Sequence, residues 1–109
     1  AEESNGVKVV TCRFDALDPN GLRDLADSLR DKMNVGVVIL ASSFGGKAAI
    51  TAMATKPAVA KGIHCGNIVK KAAAICGGGG GGRPDMAQAG GKQPEKIDEM
   101  LSKAKEFLF

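Results

Sequence analysis

The segment VGVVILASSFGGKAAITAMA, residues 35–54, decides the fold of this 109-residue chain. Its first part, Val35 to Ala41, is continuously apolar and rich in branched side chains, which predicts a short strand covered on both faces. The Gly45-Gly46 pair is typical of a hairpin turn, and the returning strand is predicted over Ala48 to Ala54. Pro57 ends that strand because proline cannot donate to a strand ladder. The segment therefore predicts a central hairpin with other elements packed on it.

The chain before this hairpin predicts one strand and one helix. Val7 to Phe14 is rich in β-branched residues, which is typical of a strand. Asp18-Pro19 then supplies a helix N-cap and a proline for the first helical position. Apolar residues at helical spacing continue to about Asn34. Because the chain starts AEESNG without methionine, we interpret residues 1–6 as the remnant of a linker in a longer protein.

The chain after the hairpin predicts two helices and one strand. Apolar residues recur at helical spacing from Cys65 to Cys76, and the glycines Gly77–Gly82 end that helix. Met86 to Ala89 is a short predicted strand, and Pro94 opens a last helix. The predicted order is β-α-β-β-α, a glycine loop, then β-α. We therefore expect an α/β (α+β) domain over residues 7–109, with a single mixed β-sheet and about three helices packed on it.

Charge is segregated along the chain. The formal net charge is +3, yet the segment from Val35 to Arg83 contains no aspartate or glutamate. Its basic residues are Lys47, Lys56, Lys61, Lys70, Lys71 and Arg83. An acid-free block of this length is typical of a surface that meets polyanions. The alternative is an Ala/Gly-rich core segment whose lysines form a solvated rim.

Composition argues against several classes of function. The chain has four Phe and neither Trp nor Tyr, which argues against base stacking on an aromatic platform. Its three cysteines show no Cys-x-x-Cys spacing and so indicate neither a disulfide framework nor a zinc site. We expect reduced, mostly buried thiols, with Cys65 and Cys76 in the core, and a reducing cytosol fits them. No apolar run is long enough to span a membrane, and no motif indicates a catalytic, cofactor-binding or metal centre.

The glycine tract and the arginine that follows it form a second candidate feature. Ordering a glycine costs roughly 0.5–1 kcal/mol relative to alanine, so a disordered linker is the simple alternative. An ordered tract would let a phosphate, a ribose or another backbone approach closely, and successive bare N–H groups can form an anion nest. Arg83 either forks onto a phosphate or a guanine edge or pairs with nearby Asp85.

Three motifs follow one another in a recognisable order. They are Gly46-Lys47, CGNIVK at residues 65–70 and GGGGGGRPDMAQAGG at residues 77–91. Together they resemble the C-terminal domain of alanyl-tRNA synthetases, the module called C-Ala, within the wider DHHA1 family of domains associated with DHH phosphoesterases. The RPDMAQAGG string is the specific part of the resemblance, which covers Val7 to Phe109.

The resemblance implies a binding module and no catalytic centre in this chain. Its implied partners are the elbow of alanine-specific tRNA and the rest of a cytoplasmic parent synthetase, in which it would help aminoacylation and editing act on one tRNA. ATP and zinc are implied only for other domains of that parent, and no cofactor is implied here. With the charge argument, the resemblance predicts nucleic-acid binding by Lys47, Lys56, Lys61, Lys70, Lys71, Gly78, Gly79, Gly80, Gly81, Gly82 and Arg83.

Two alternative functions stay open. One is a homodimerisation module, since Phe107-Leu108-Phe109 is an apolar tip at the end of the last predicted helix. The other is a nucleic-acid-binding accessory domain of a DHH-type phosphoesterase. Relatives of that kind carry histidine where this chain has Arg83, and their Asp-His-His motif does not occur in it.

Overall fold

The hairpin at residues 36–54 forms the middle of a six-stranded sheet in the computed structural model, which describes residues 2–4 and 6–108. The strands are Glu2–Ser4 (β1), Val7–Asp15 (β2), Gly36–Phe44 (β3), Lys47–Ala54 (β4), Gly79–Gly82 (β5) and Met86–Gly91 (β6). They lie in the order β1-β2-β3-β4-β6-β5. Strands β2 and β3 run parallel and the other neighbouring pairs run antiparallel. The sheet is mixed, which confirms the predicted fold class.

Helices pack on this sheet, and their ends lie at residues that favour helix starts and stops. They are Pro19–Asp31 (α1), Lys56–Ala60 (α2), Cys65–Ile75 (α3) and Ile97–Ser102 (α4), the last flanked by 3-10 turns at Pro94–Lys96 and Ala104–Phe107. Asp18 caps α1 as predicted, since its side chain accepts a hydrogen bond of 2.8 Å from the Gly21 N–H. After α3, Gly77 adopts a left-handed φ of 74°, which glycine does without strain.

The two faces of the sheet carry two separate apolar cores. Side chains alternate between the faces along each strand. Ile39 and Ile50 pack with Ile68 of α3, and we call this side the α3 face. Val38 and Met53 pack with Leu22 of α1 on the opposite side, the α1 face, where α1 lies over β3 and β4. Helix α3 lies over β4, β6 and β5, so the β6–β5 edge is covered mainly on the α3 face.

Three elements differ from the sequence-based expectation. Residues Glu2–Ser4, which lie in the segment interpreted as a linker remnant, pair with β2 as a strand, while Ala1 and Asn5 lie outside the described residues. The glycine tract, expected as a loop, forms β5 because β6 and α3 supply it with packing partners. Helix α2 was not predicted, although Thr55 caps it by accepting from the Ala58 N–H at 3.4 Å.

The three cysteines divide into two classes. Cys65 and Cys76 are fully buried, as predicted. Burial, with a smaller contribution from Asp85, raises the pKa of the Cys65 thiol to about 12, and burial also raises the pKa of Cys76. Cys12 is exposed, so the expectation of mostly buried thiols is wrong there, because β2 lies beyond the part of the sheet that α1 covers.

A thiol-reactive reagent applied to the native protein at pH 8 will therefore modify one cysteine quickly and two slowly. Only thiolates react, and the two buried thiols are both shielded and held protonated. Labelling in denaturant should give three modified thiols. A Cys12→Ser variant is the control, and rapid labelling of that variant in its native state would contradict the packing of α3.

No helix among residues 2–4 and 6–108 is long and apolar enough to cross a membrane.

Candidate nucleic-acid interface

The glycines that point toward the α3 face are required by packing. A Cβ on Gly80 would lie 2.6 Å from the Cα of Ala89 and 2.8 Å from the carbonyl oxygen of Gln88. A Cβ on Gly82 would lie 2.7 Å from the Cα of Ala87. At Gly78, just before β5, it would lie 2.5 Å from the Cα of Gly91. Real Cβ atoms are not found this close to backbone, so these positions have a structural reason to be glycine.

The other two glycines of β5 have no such reason. Gly79 and Gly81 point toward the α1 face, and a Cβ on either would meet nothing within 4 Å. Both residues are exposed, and neither has the positive φ that favours glycine. Strand β5 therefore presents ordered backbone without side chains on the α1 face, although packing does not require glycine at Gly79 or Gly81.

The N-terminus of α3 holds this edge strand in place. The Cys65 N–H donates to the Pro84 carbonyl at 2.9 Å, and the Gly66 N–H donates to the Arg83 carbonyl at 3.1 Å. The Asn67 N–H donates to Nδ1 of His64, which is the helix cap. Because these amides are satisfied within the protein, this helix end is not a phosphate site. It anchors the β5–β6 hairpin instead.

The same contact explains why the CGNIVK and glycine-rich motifs occur together. A Cβ on Gly66 would lie 2.9 Å from Cε1 of His64 and 3.1 Å from the carbonyl carbon of Gly82. The glycine of the first motif thus packs directly on the backbone of the second.

Two of the predicted cations flank the bare strand on the α1 face. Lys47 begins β4 and lines a groove together with Gly90, the strand partner of Gly79. Arg83 follows the other end of β5 and lines a cavity of about 220 Å³ with Met86 and residues of α1. Gly79 and Arg83 are separated by four residues of extended chain, or about 13 Å. A basic residue therefore lies at each end of the exposed glycine backbone.

Of the remaining predicted cations, one lies near Arg83 and the other three lie elsewhere on the domain. Lys56 lies at the Arg83 end, in a cavity lined by Asp85 and by residues at the end of α1. Lys70 and Lys71 are exposed on α3, on the opposite side of the sheet. The Nζ of Lys61 lies 3.4 Å from where a Cβ on Gly6 would be, beside the β1–β2 turn. The acid-free block thus folds into surfaces on different sides of the domain.

The structure shows the pairing of Arg83 with Asp85, which is one of its two sequence-based interpretations. Its Nε lies 3.5 Å from Oδ1 of Asp85, while its side chain remains 70% exposed. An exposed pair of this kind contributes about 0–1 kcal/mol, so a phosphate can replace the carboxylate at little cost. Arg30 lies in the same cavity but is engaged by Asp27 and Asp31. Arg83 is thus more accessible than Arg30, whose side chain is 26% exposed.

Sequence reasoning missed one residue of this face. Among the described residues, Phe44 is the large hydrophobic side chain with an exposed surface, at 43%. It pairs directly with Lys47 across the Gly45-Gly46 turn, in which both glycines have positive φ. The signal in the sequence was the string FGGK, because a two-residue turn places its flanking residues on one face.

The apolar tip that suggested a dimer is largely packed inside the domain. Leu108 is 2% exposed and belongs to the core of the α3 face, and Phe107 packs against that core. Phe109 lies outside the described residues. The expectation of an exposed tip is therefore wrong for Leu108, because the turn at Ala104–Phe107 folds back onto α3.

Comparison with known proteins finds alanine–tRNA ligases and the solved structure of a domain from one such enzyme. The DHHA1 domain family matches residues 6–108. The chain is 62% identical over 104 residues to an alanine–tRNA ligase of Acetivibrio thermocellus and 53% identical over 106 residues to that of Bacillus pumilus. These matches cover 95% and 97% of this chain but 12% of each ligase. The crystal structure of the C-Ala domain from Aquifex aeolicus alanyl-tRNA synthetase superimposes with a TM-score of 0.89 at 33% identity, covering 98% of this chain and 96% of that one.

Proposed function

The chain belongs to the DHHA1 domain family, as a domain of the C-Ala type, and from that premise we propose that it binds the elbow of alanine-specific tRNA. The bare α1 face of β5, with Lys47 and Arg83 at its ends, is the proposed interface. One observation carries the proposal: Gly79 and Gly81 are glycine although the fold leaves their Cβ positions empty. A surface that excludes side chains without a packing reason fits a ligand that must approach the backbone closely.

The chemistry of this face suits structured RNA. Folded RNA is recognised mainly by shape, through phosphates and 2′-hydroxyls. A rigid flat strand supplies the shape, and a lysine and an arginine supply contacts to phosphate. The N–H and C=O groups of an edge strand can also bond to sugar hydroxyls. Binding of this type would recognise the shape of the tRNA elbow rather than its nucleotide sequence.

A module with few cations binds weakly by itself. Linking it to other tRNA-binding domains raises the effective concentration of the RNA at this surface. In a cytoplasmic parent ligase, we propose that this chain keeps one tRNA attached while aminoacylation and editing take place elsewhere. Any ATP or zinc would bind in those other domains.

The salt dependence of tRNA binding will show how many cations are used. Three of the six predicted cations lie on the α1 side: Lys47, Lys56 and Arg83. Each phosphate contact contributes about −0.7 to −0.9 to the slope of log K against log salt, so we expect a slope of about −2 to −3. A slope near −5 would require all six basic residues of the acid-free block.

The measurement is a fluorescence-anisotropy titration of this chain with tRNA between 50 and 200 mM salt. Duplex DNA of equal length is the competitor, and it should bind more weakly because it lacks the elbow. Replacing Lys70 and Lys71 together by glutamine should leave the slope unchanged if the interface is the α1 face. A salt-independent affinity, or equal affinity for the duplex, would overturn the proposed function.

A further inference from the structure

The groove beside Phe44 has a composition unlike the rest of the proposed interface. Its volume is about 180 Å³, below the 300–1,000 Å³ of pockets that take drug-sized ligands. It is lined by Pro19, Phe44, Lys47, Ala48, Ala49, Ala89 and Gly90. Among these residues Lys47 is the charged one, whereas the cavities beside Arg83 and Lys56 also contain carboxylates. The groove is thus small and apolar, with one cation at its rim.

The turn beside the groove fixes the positions of Phe44 and Lys47 relative to each other. Gly45 and Gly46 have φ values of 59° and 76°, as a two-residue hairpin of twisted strands requires. Phe44 and Lys47 are therefore direct cross-strand neighbours, with Cβ atoms about 5 Å apart. Both project on the α1 face, next to the bare backbone of β5.

We propose that this groove binds one unstacked RNA base, which stacks on the ring of Phe44 while Lys47 contacts the adjoining phosphate. The inference rests on the proposed function and adds a subsite to it. Single-stranded loops of folded RNA are recognised by stacking their splayed bases on aromatic side chains. Lys47 is positively charged, and the residues that line the groove include no carboxylate. The groove therefore favours an anionic ligand over a peptide without acidic side chains. The groove also fits one flat ring system better than a peptide segment, which needs a larger surface.

Loss of the ring will weaken binding without changing its salt dependence. Stacking of one base contributes about 1–3 kcal/mol by alanine substitution, so Phe44→Ala should weaken tRNA binding about tenfold. Phe44→Leu keeps apolar bulk without the ring and should lose nearly as much. Because neither variant removes a charge, the salt slope should stay that of the parent protein. Lys47→Ala should instead reduce the slope by about one.

A fluorescence experiment tests the stacking contact directly. The chain has no Trp or Tyr, so a Phe44→Trp variant would carry a single indole in the groove. Stacking with a base should quench its emission at least twofold on addition of tRNA, while the variant still binds. Phe107→Trp, on the α3 face, is the matched control, and its emission should change little.

The outcomes separate this subsite from the proposed function. If the parent chain binds tRNA and Arg83→Glu weakens it, but Phe44→Ala binds within twofold of the parent, the stacking subsite is wrong and the function stands. Unchanged emission of the Phe44→Trp variant in a complex detected by anisotropy would overturn the subsite in the same way. If the parent chain does not bind tRNA, the proposed function and this subsite both fall. Thermal unfolding of each variant is the control that tests whether the fold is retained.

Discussion

Valine at position 80 will destabilise the domain by about 3 kcal/mol, whereas valine at position 79 will leave the fold intact and weaken tRNA binding about tenfold. Both substitutions add the same atoms to the same strand. At Gly80 they meet the backbone of Ala89 and Gln88 at 2.6 Å and 2.8 Å, and forced overpacking of this kind typically costs about 1–3 kcal/mol. At Gly79 they enter open space, and valine suits a strand better than glycine does.

The measurements are a denaturant titration of each variant and a tRNA titration under native conditions. Gly79→Val should keep the midpoint of the parent or raise it slightly, since glycine loses more conformational entropy on folding. Gly81→Val should behave like Gly79→Val, and Gly82→Val like Gly80→Val. This alternation is the specific expectation. A Gly79→Val protein that binds tRNA as tightly as the parent would show that RNA does not approach β5.

Charge reversal at Arg83 will weaken tRNA binding by about 10- to 100-fold with little change in stability. Hydrogen bonds to charged groups contribute about 1.5–3 kcal/mol, and a carboxylate at the same place would also repel phosphate. Stability should change little because Arg83 is exposed and its pair with Asp85 is weak. Arg83→Lys should recover only part of the affinity, since the planar fork that holds two phosphate oxygens is lost.

Two control variants separate this contact from general charge. Lys103→Glu makes the same change in net charge near the end of α4, on the α3 side, and should bind tRNA nearly as the parent does. Asp85→Asn removes the internal partner of Arg83 and should strengthen binding slightly. If Arg83→Glu and Lys103→Glu reduce affinity equally, the effect is one of net charge, and the Arg83 contact is excluded.

Most of the secondary structure could be predicted because its signals are local. The cap at Asp18 and the left-handed glycine after α3 each depend on a few neighbouring residues. The continuous apolar run of β3 reflects its burial on both faces. The strand formed by Gly79–Gly82 could not be found this way. Glycine has low strand propensity, and β5 exists because β6 and α3 pack against it.

The site was predicted as a set of residues but not as a surface. The sequence identified Lys47, the glycine tract and Arg83, and it grouped them with lysines that the fold places elsewhere. It also gave no weight to Phe44, since a chain with few aromatic residues gives little reason to expect an exposed one.

The sequence by itself determined the fold class, the family and the central hairpin at residues 36–54, since these follow from periodicity, turn residues and motifs read along the chain. Only the tertiary structure decided which glycines are required by packing and which are left bare. That difference depends on strand register, because a shift of one residue moves every side chain to the other face of the sheet. The separation of Lys70 and Lys71 from Arg83 has a related cause. Helix α3 covers one face of β5 while the other stays open, and no pattern along the chain records which face that is.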